Sequence, residues 1–315
     1  MSHYESMSYQ EQGLSPGGRL RQLLATGKTL VCPGVYDGFS ARMALAAGFE
    51  CLYMTGAGVS MSRIGMADLG LATQTEMVDT AGMIANIDPK TPLIADADTG
   101  YGTAANVFRT VERYITAGVA GFHLEDQVVT KRCGHLKGKE CVTLSEYLTR
   151  IKAAVEARKR RGSDIVIIAR TDSLATHGLG EALRRLKAAV EVGADAVFLE
   201  AISTKEQLEA YCSTFRGSRV VTLHNMVQGS PQAYKITPKE AEHYGLGIML
   251  YPAVCLLPAY VGITSALRAL KGGLVEDDPE GSTPAQIFQV CGMDEIQRTD
   301  NEVSDWVQKF EAENK

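Results

Sequence analysis

No stretch of this chain approaches the roughly 18 consecutive apolar residues that a membrane-spanning helix needs, so no such helix is expected. The N-terminus, MSHYESMSYQEQG, carries acidic residues and lacks the apolar centre of a signal peptide; residues 1–17 read as a loose lead-in, and the expected compartment is the cytoplasm. Basic excess is missing too. A net charge of −5 and a pI near 5.8 give no global field for nucleic acid or an anionic membrane. The single basic run, Arg158 to Arg161, suits the negative end of a helix. The seven cysteines (Cys32, Cys51, Cys133, Cys141, Cys212, Cys255 and Cys291) contain no CxxC, and His3, His177 and His243 fit no metal-ligand spacing. An odd number of scattered cysteines, several in apolar contexts, points to reduced buried thiols rather than disulfides. No low-complexity linker divides the 315 residues, and no second domain is evident.

What the chain does have is a regular beat. Apolar runs recur at Thr29–Pro33, Glu50–Thr55, Pro92–Asp96, Val119–Glu125, Asp164–Arg170, Asp195–Glu200, Arg219–His224 and Leu246–Tyr251. Amphipathic stretches separate them, at Ser40–Ala47, Thr75–Ile84, Ala104–Ala117, Leu144–Arg158, Leu179–Val192, Lys205–Cys212 and Pro238–Tyr244. Eight strands alternating with helices predict an α/β fold, a closed (β/α)8 TIM barrel over residues 18–271. Helical patterns at Val254–Leu270, Pro284–Cys291 and Asp300–Glu313 run on past the eighth strand, giving a helical extension over 272–315 that has no place in a barrel ring and is expected to pack on a neighbouring subunit.

In such a barrel the chemistry belongs at the C-terminal ends of the strands. There the polar residues gather: Thr55-Gly56-Ala57-Gly58, Asp96 and Asp98, Glu125 and Asp126, Arg170-Thr171-Asp172, Glu200, His224-Asn225 and Tyr251-Pro252. Asp96 and Asp98, two apart on a strand end, point to one side and suit a hard cation such as Mg²⁺; the alternative is an Asx turn capping the next helix. Glu125 and Glu200 either join the metal shell or neutralise Arg170, which ends an apolar run and needs an anion. The backbone N–H groups of Thr55–Gly58 offer an anion cradle. A dinucleotide fingerprint fails, because Met61 stands where its third glycine belongs. His224 reads as a structural hydrogen-bonding residue.

Between Gly121 and Val142 a strand delivers Glu125 and Asp126 and leads into a loop carrying Lys131, Arg132, Cys133, Gly134 and His135. A thiol among cations has its pKa lowered toward neutrality. The alternative is a solvated basic turn in which Cys133 is incidental, with His135 only a loop donor.

Together DADTGYG (96–102), EDQ (125–127), KRCGH (131–135), ARTD (169–172) and an Asn after strand seven resemble the isocitrate lyase/phosphoenolpyruvate mutase superfamily over roughly residues 18 to 295. Within it the chain looks like the short lyase branch, whose members act on 2-methylisocitrate, 2,3-dimethylmalate or oxaloacetate. The branch that works on P–C bonds lacks the cysteine loop. The resemblance implies a cytoplasmic homotetramer with C-terminal helices swapped between subunits, a small di- or tricarboxylate substrate and a mobile catalytic loop. It also implies Mg²⁺, with Mn²⁺ as the substitute, held by Asp96 and Asp98 with help from Asp68 and Glu125. Retro-aldol cleavage of a 2-hydroxy diacid would leave a 2-oxo acid and an enediolate fragment. Cys133 would protonate the enediolate, Lys131 and His135 would set the thiol's pKa and position, and Tyr53 would assist proton removal. Thr55, Gly56, Ala57, Arg170, Glu200, Asn225 and Pro252 would line the substrate.

Two positions depart from the pattern. Gln228 stands where the family usually has Glu, losing a charge and a base. Pro252 stands where oxaloacetate hydrolases carry a serine, and proline has no donor to offer. The second departure favours a lyase for a carbon-substituted malate over an oxaloacetate hydrolase, and methylisocitrate would need an extra cation for its third carboxylate, to which no residue is assigned. A barrel kept only as a binding module is the remaining alternative, and it predicts lost catalytic residues, whereas Cys133, Asp96, Asp98 and Arg170 are all present.

Overall fold

The computed structural model describes residues 13–134, 136, 138–230, 233–274, 281 and 283–314. Eight strands lie side by side in sequence order: β1 (Leu30–Val35), β2 (Leu52–Met54), β3 (Leu93–Asp96), β4 (Gly121–Glu125), β5 (Val166–Thr171), β6 (Ala196–Leu199), β7 (Val221–Asn225) and β8 (Ile248–Tyr251). Every pairing is parallel, and β8 pairs back with β1 from Ile248↔Leu30 to Tyr251↔Pro33, so the sheet closes. The eight-stranded barrel expected from the sequence is the fold.

Parity explains how the barrel fills. Alternate residues on each strand face inward. Cys32, Cys51, Tyr53, Ile94, Val166, Ile168, Ala196, Phe198, Leu223, Ile248 and Leu250 form one buried cluster inside the ring. Helix α1 (Pro16–Leu24), capped by Ser15, brings Leu20 into the same cluster. Gly121 at the start of β4 leaves room for it, since a Cβ there would stand 2.9 Å from Leu20 Cδ2. A second cluster joins the outward faces of β1 to β5 to their covering helices, and a third does so for β6 and β8.

Those helices are α2 (Gly38–Ala46), α3 (Gly56–Arg63), α4 (Gln74–Ala85), α5 (Ala104–Thr116), α6 (Leu144–Arg160), α7 (Leu174–Val192), α8 (Lys205–Phe215) and α9 (Pro238–Tyr244). Asp37, Thr73, Thr204 and Thr237 start α2, α4, α8 and α9 with capping boxes, each contributing about 1 kcal/mol. Gly48 and Gly118, at φ +82° and +86°, turn the chain out of α2 and α5 toward the next strand. Two differences from the sequence reading matter. Thr55–Gly58, read as an open cradle, is the first turn of α3. Helix α7 starts at Leu174 rather than Leu179, with a break at Gly178 (φ 81°, ψ 173°).

Past β8 come α10 (Leu256–Lys271), α11 (Pro284–Val290) and α12 (Met293–Glu313). The last begins seven residues before the expected Asp300, because Asp294 and Glu295 stabilise its N-terminal turn. None of the three buries a residue. The ring's eighth helical position is therefore not filled by α10 of the same chain.

Candidate active site

The inward parity that fills the barrel with apolar side chains brings polar ones to its mouth. Tyr53, Asp96, His123, Glu125, Arg170 and Glu200 are all buried. In the sheet register Asp96 sits beside His123, and Glu125 beside Arg170. Arg170 donates from Nε to Asp172 Oδ2 at 2.9 Å, has Glu125 Oε2 at 3.2 Å, and rests 5.1 Å over the Phe198 ring. Burial works against its charge, and Asp172, Glu125 and Glu200 outweigh burial, so its pKa rises. Glu200 accepts from Asn225 Nδ2 at 3.2 Å. Of the two alternatives for Glu125 and Glu200, the structure shows the neutralising one: both carboxylates stand against Arg170.

The loop after β4 folds down over this mouth. Its neck is closed by the Gln127–Cys141 bridge and by Val128 N–H donating to the Glu140 carbonyl at 2.9 Å. Gln127 also pairs through its side-chain amide with both backbone groups of Arg132, at 2.9 and 3.1 Å. The Cys133 N–H donates to the Asp68 carbonyl at 3.2 Å. Gly134 presses on the site so closely that a Cβ would lie 2.4 Å from Glu200 Oε1 and 2.6 Å from an Arg170 Nη. His135 lies outside the described residues. Lys131, expected to tune the thiol, sends its ammonium to Asp68 and, at 2.6 Å, to Asp98 Oδ1. Its burial disfavours the charge, but Asp98 and Asp68 together outweigh this and raise its pKa.

Gly56 abuts the metal candidates, for a Cβ there would lie 2.5 Å from Asp96 Oδ2. Thr55, Gly56 and Ala57 thereby present the positive end of α3 to the mouth. Pro252 follows β8 and packs its backbone on Gly34 of β1, 2.5 Å from where a Cβ would stand. Asp98 adopts φ 46°, and its N–H donates to Asp96 Oδ1 at 2.8 Å, an Asx-type turn. It does not cap the next helix as that alternative expected, because α5 starts at Ala104 after Thr103, and it uses one oxygen of Asp96.

Sequence reasoning placed Asp172 at the mouth without a role, and it missed His123 and Lys139 as parts of this centre. His123 Nε2 is 2.9 Å from the Tyr53 hydroxyl and its Nδ1 3.6 Å from Asp96 Oδ1. Burial, helped by nearby Arg170, lowers its pKa to about 3, so it is a neutral imidazole. Lys139 bonds to the Gly134 carbonyl and to Asp172. His224, read as structural, donates from Nε2 to the Tyr234 carbonyl, 2.8 Å away.

Do these residues fit a divalent cation? Glu125 Oε1, Asn225 Oδ1 and Gln228 Oε1 are buried without a hydrogen-bond donor, whereas Asp98 Oδ1 faces the Lys131 ammonium and Glu125 Oε2 the Arg170 guanidinium. All are acceptors, and all are oxygens. Six carboxylates (Asp68, Asp96, Asp98, Glu125, Asp172, Glu200) stand against three cations (Lys131, Lys139, Arg170). Burial raises the pKa of Asp96 and Glu125 and pushes Asp98 up to about 6, the response of carboxylates short of positive charge. Among the described residues no three His, Cys, Asp or Glu side chains form a ready-made cluster. Mg²⁺ takes one or two protein carboxylates and fills its octahedron with water and substrate oxygens. The donor set fits.

The family model for phosphoenolpyruvate phosphomutase matches residues 20–270. The chain belongs to the phosphoenolpyruvate mutase/isocitrate lyase superfamily. It is 42% identical over 258 residues to 2,3-dimethylmalate lyase of Eubacterium barkeri, covering 82% of this chain and 87% of that one. It is 37% identical to 2-methylisocitrate lyase of Shewanella oneidensis, over 81% and 85% of the two chains. A solved oxaloacetate acetylhydrolase in complex with the inhibitor 3,3-difluorooxalacetate superposes with a TM-score of 0.89 at 48% identity, over 92% and 97%. The resemblance read from DADTGYG and KRCGH is borne out, and with lyases of this superfamily among its relatives the chain is an enzyme of the carbon–carbon lyase class.

Proposed function

We propose that the chain cleaves a substituted 2-hydroxy dicarboxylate of the 2,3-dimethylmalate kind into pyruvate and propionate. The observation that carries this reading is the seating of the loop on the mouth, with Gly134 on Arg170 and Glu200, the Cys133 N–H on the Asp68 carbonyl and Lys131 on Asp98. Arg170, Asn225 and the N-terminal turn of α3 hold the two carboxylates of the substrate. A divalent metal, Mg²⁺ or Mn²⁺, would be held by Asp96 and Asp98 with Asp68 and Glu125, and when bound it supplies Lewis-acid polarisation of the substrate's hydroxyl and carboxylate oxygens. The hydroxyl proton passes to a carboxylate of the mouth. The hydroxyl-bearing carbon becomes a ketone carbon as the C–C bond breaks, and the bonding pair moves into the enediolate of the leaving fragment. The Cys133 thiol then gives its proton to the fragment's carbon. Burial holds Tyr53 above its usual pKa, so it acts as a neutral hydroxyl hydrogen-bonded to His123.

A specific observation keeps oxaloacetate hydrolysis as the second reading, namely the 48% identity to oxaloacetate acetylhydrolase. Pro252 argues against it, having no hydroxyl or N–H for a hydrated ketone. The test is a product assay with Mg²⁺ on 2,3-dimethylmalate, 2-methylisocitrate, isocitrate and oxaloacetate, repeated with Cys133→Ser. Pyruvate from dimethylmalate, nearly abolished by the substitution, is expected. Oxalate from oxaloacetate would transfer the assignment to the second reading.

The protein is expected to work as a homotetramer in the cytoplasm, with C-terminal helices exchanged between subunits. Tyr260, Val261, Ile263, Leu267 and Leu270 of α10 are all at least 60% exposed, an apolar face that a partner subunit would cover. None of the seven cysteines is in a disulfide, in keeping with a reducing compartment. No helix among the described residues is long and apolar enough to cross a membrane.

A further inference from the structure

Lysine is rarely buried unless its ammonium is paired. Lys139 is 7% exposed and lies on the returning limb of the loop, beside the neck residue Glu140. Its ammonium reaches back across the loop to the Gly134 carbonyl at 2.6 Å and down to Asp172 Oδ1 at 2.9 Å. Asp172 is itself fixed, because its N–H donates to Asp126 Oδ1 at 2.8 Å and Asp126 is paired with Arg185 at 3.0 Å. The same Asp172 carboxylate grips Arg170 through Nε at 2.9 Å and Nη at 3.3 Å. A continuous chain of charge-assisted bonds therefore runs from the loop tip to the guanidinium.

We propose that Lys139 is a positioning residue: by tying the Gly134 carbonyl to the carboxylate that orients Arg170, it makes closure of the catalytic loop and alignment of Arg170 one event. The geometry fits no looser role. With the loop lifted, the Gly134 carbonyl would leave the ammonium, and Asp172 would lose one of the two cations that share its oxygens. With the loop down, Gly134 fills the space between Arg170 and Glu200 that no larger residue could enter. Burial opposes the charge of Lys139, and Asp172 and Glu200 more than restore it, so the latch stays ionised.

The inference rests on the reading of 131–141 as the catalytic loop, and its test separates the two. Lys139→Met keeps the chain length and removes the charge, while Lys139→Gln keeps a donor for the Gly134 carbonyl. Each variant is examined by circular dichroism and thermal melting, then by limited trypsin digestion. Lys131 is 4% exposed in the closed loop, so wild-type protein should resist cleavage there. Folded Lys139→Met should be cut after Lys131 at least about ten times faster, a readout that needs no substrate. With Mg²⁺ and whichever panel substrate turns over, its kcat should fall about 100-fold, the scale of a misplaced catalytic group, with KM moving less than kcat. Lys139→Gln should lie between. A folded Lys139→Met with wild-type cleavage and wild-type kcat overturns the proposal, as does a lower kcat with unchanged cleavage. Failure of both variants to fold overturns it too, by making Lys139 part of the folding core. If no panel substrate is cleaved, the function reading fails while the tryptic comparison still decides the latch.

Discussion

The Lys131 ammonium lies 2.6 Å from Asp98 Oδ1 and also pairs with Asp68, with all three side chains buried. The lysine is the counter-charge of carboxylates that a metal would otherwise neutralise. Removing it by Lys131→Met leaves buried charge uncompensated, which costs about 3–5 kcal/mol when a buried pair is broken. In EDTA the variant should show that loss in urea denaturation. Mg²⁺ should then stabilise the variant more than it stabilises the wild type. An equal Mg²⁺ response in both proteins would mean that Lys131 and the metal do not share these oxygens.

Gly134→Ala tests how tightly the loop must seat. The added methyl would meet Glu200 Oε1 at 2.4 Å and an Arg170 Nη at 2.6 Å. Both are rigidly held, since Arg170 is gripped by Asp172 and Glu200 by Asn225. The loop must stand off, and a displacement near 1 Å costs about 100-fold in kcat. Most of the barrel core is untouched, so the melting temperature should stay near that of the wild type. Wild-type turnover by Gly134→Ala would show that the loop does not close onto Arg170 during catalysis.

How much of this was legible in the sequence follows from the physics of each residue. Period-two apolar runs force strand parity, so eight of them announce a barrel, and polar residues ending those runs announce its mouth. His123 escaped because a single histidine between Phe122 and Leu124 in a buried strand reads as core until its neighbours on β2 and β3, Tyr53 and Asp96, are known. Lys139 escaped because KGKE reads as a solvated charge run. Its burial depends on Asp172, 33 residues away in sequence. Helix α3 escaped because GAGVSMSR has two glycines in its first three residues, which oppose a helix on propensity alone. There tertiary packing against Tyr36 and Asp96 overrides propensity, since side chains larger than glycine would clash with both.

His224 gives a pH-dependent contribution to stability. Burial lowers its pKa, with Nε2 on the Tyr234 carbonyl and Nδ1 buried without a partner. A depressed folded pKa means that the unfolded chain binds the proton first as pH falls through about 6.5. The stability is therefore complete above that pH and is lost below it, down toward the folded pKa, by up to about 1.4 kcal/mol per pH unit. His224→Gln should have a shallower loss between pH 7 and 5.5 than the wild type in paired urea titrations. Parallel loss in the two proteins would mean that His224 already carries its proton when folded.

The C-terminal helices make the last prediction. Helix α10 follows β8 directly, yet it buries no residue against its own barrel. Val261 and Leu267 are 63% and 60% exposed, and on α12 Trp306 is 63% exposed and stacked only on Phe310, 5.3 Å between ring centres. Apolar surface on this scale is unfavourable in water at about 25 cal/mol per Å², so a lone chain should not persist in this form. Val261→Asp combined with Leu267→Asp places charge on that face without touching the mouth. Light scattering should find the wild type as a homotetramer and the double variant as smaller species. Because the β8–β1 side of the ring then lacks a covering helix, the variant should also melt earlier. A monomeric wild type would end the exchange reading, and α10 would have to find its cover on its own barrel.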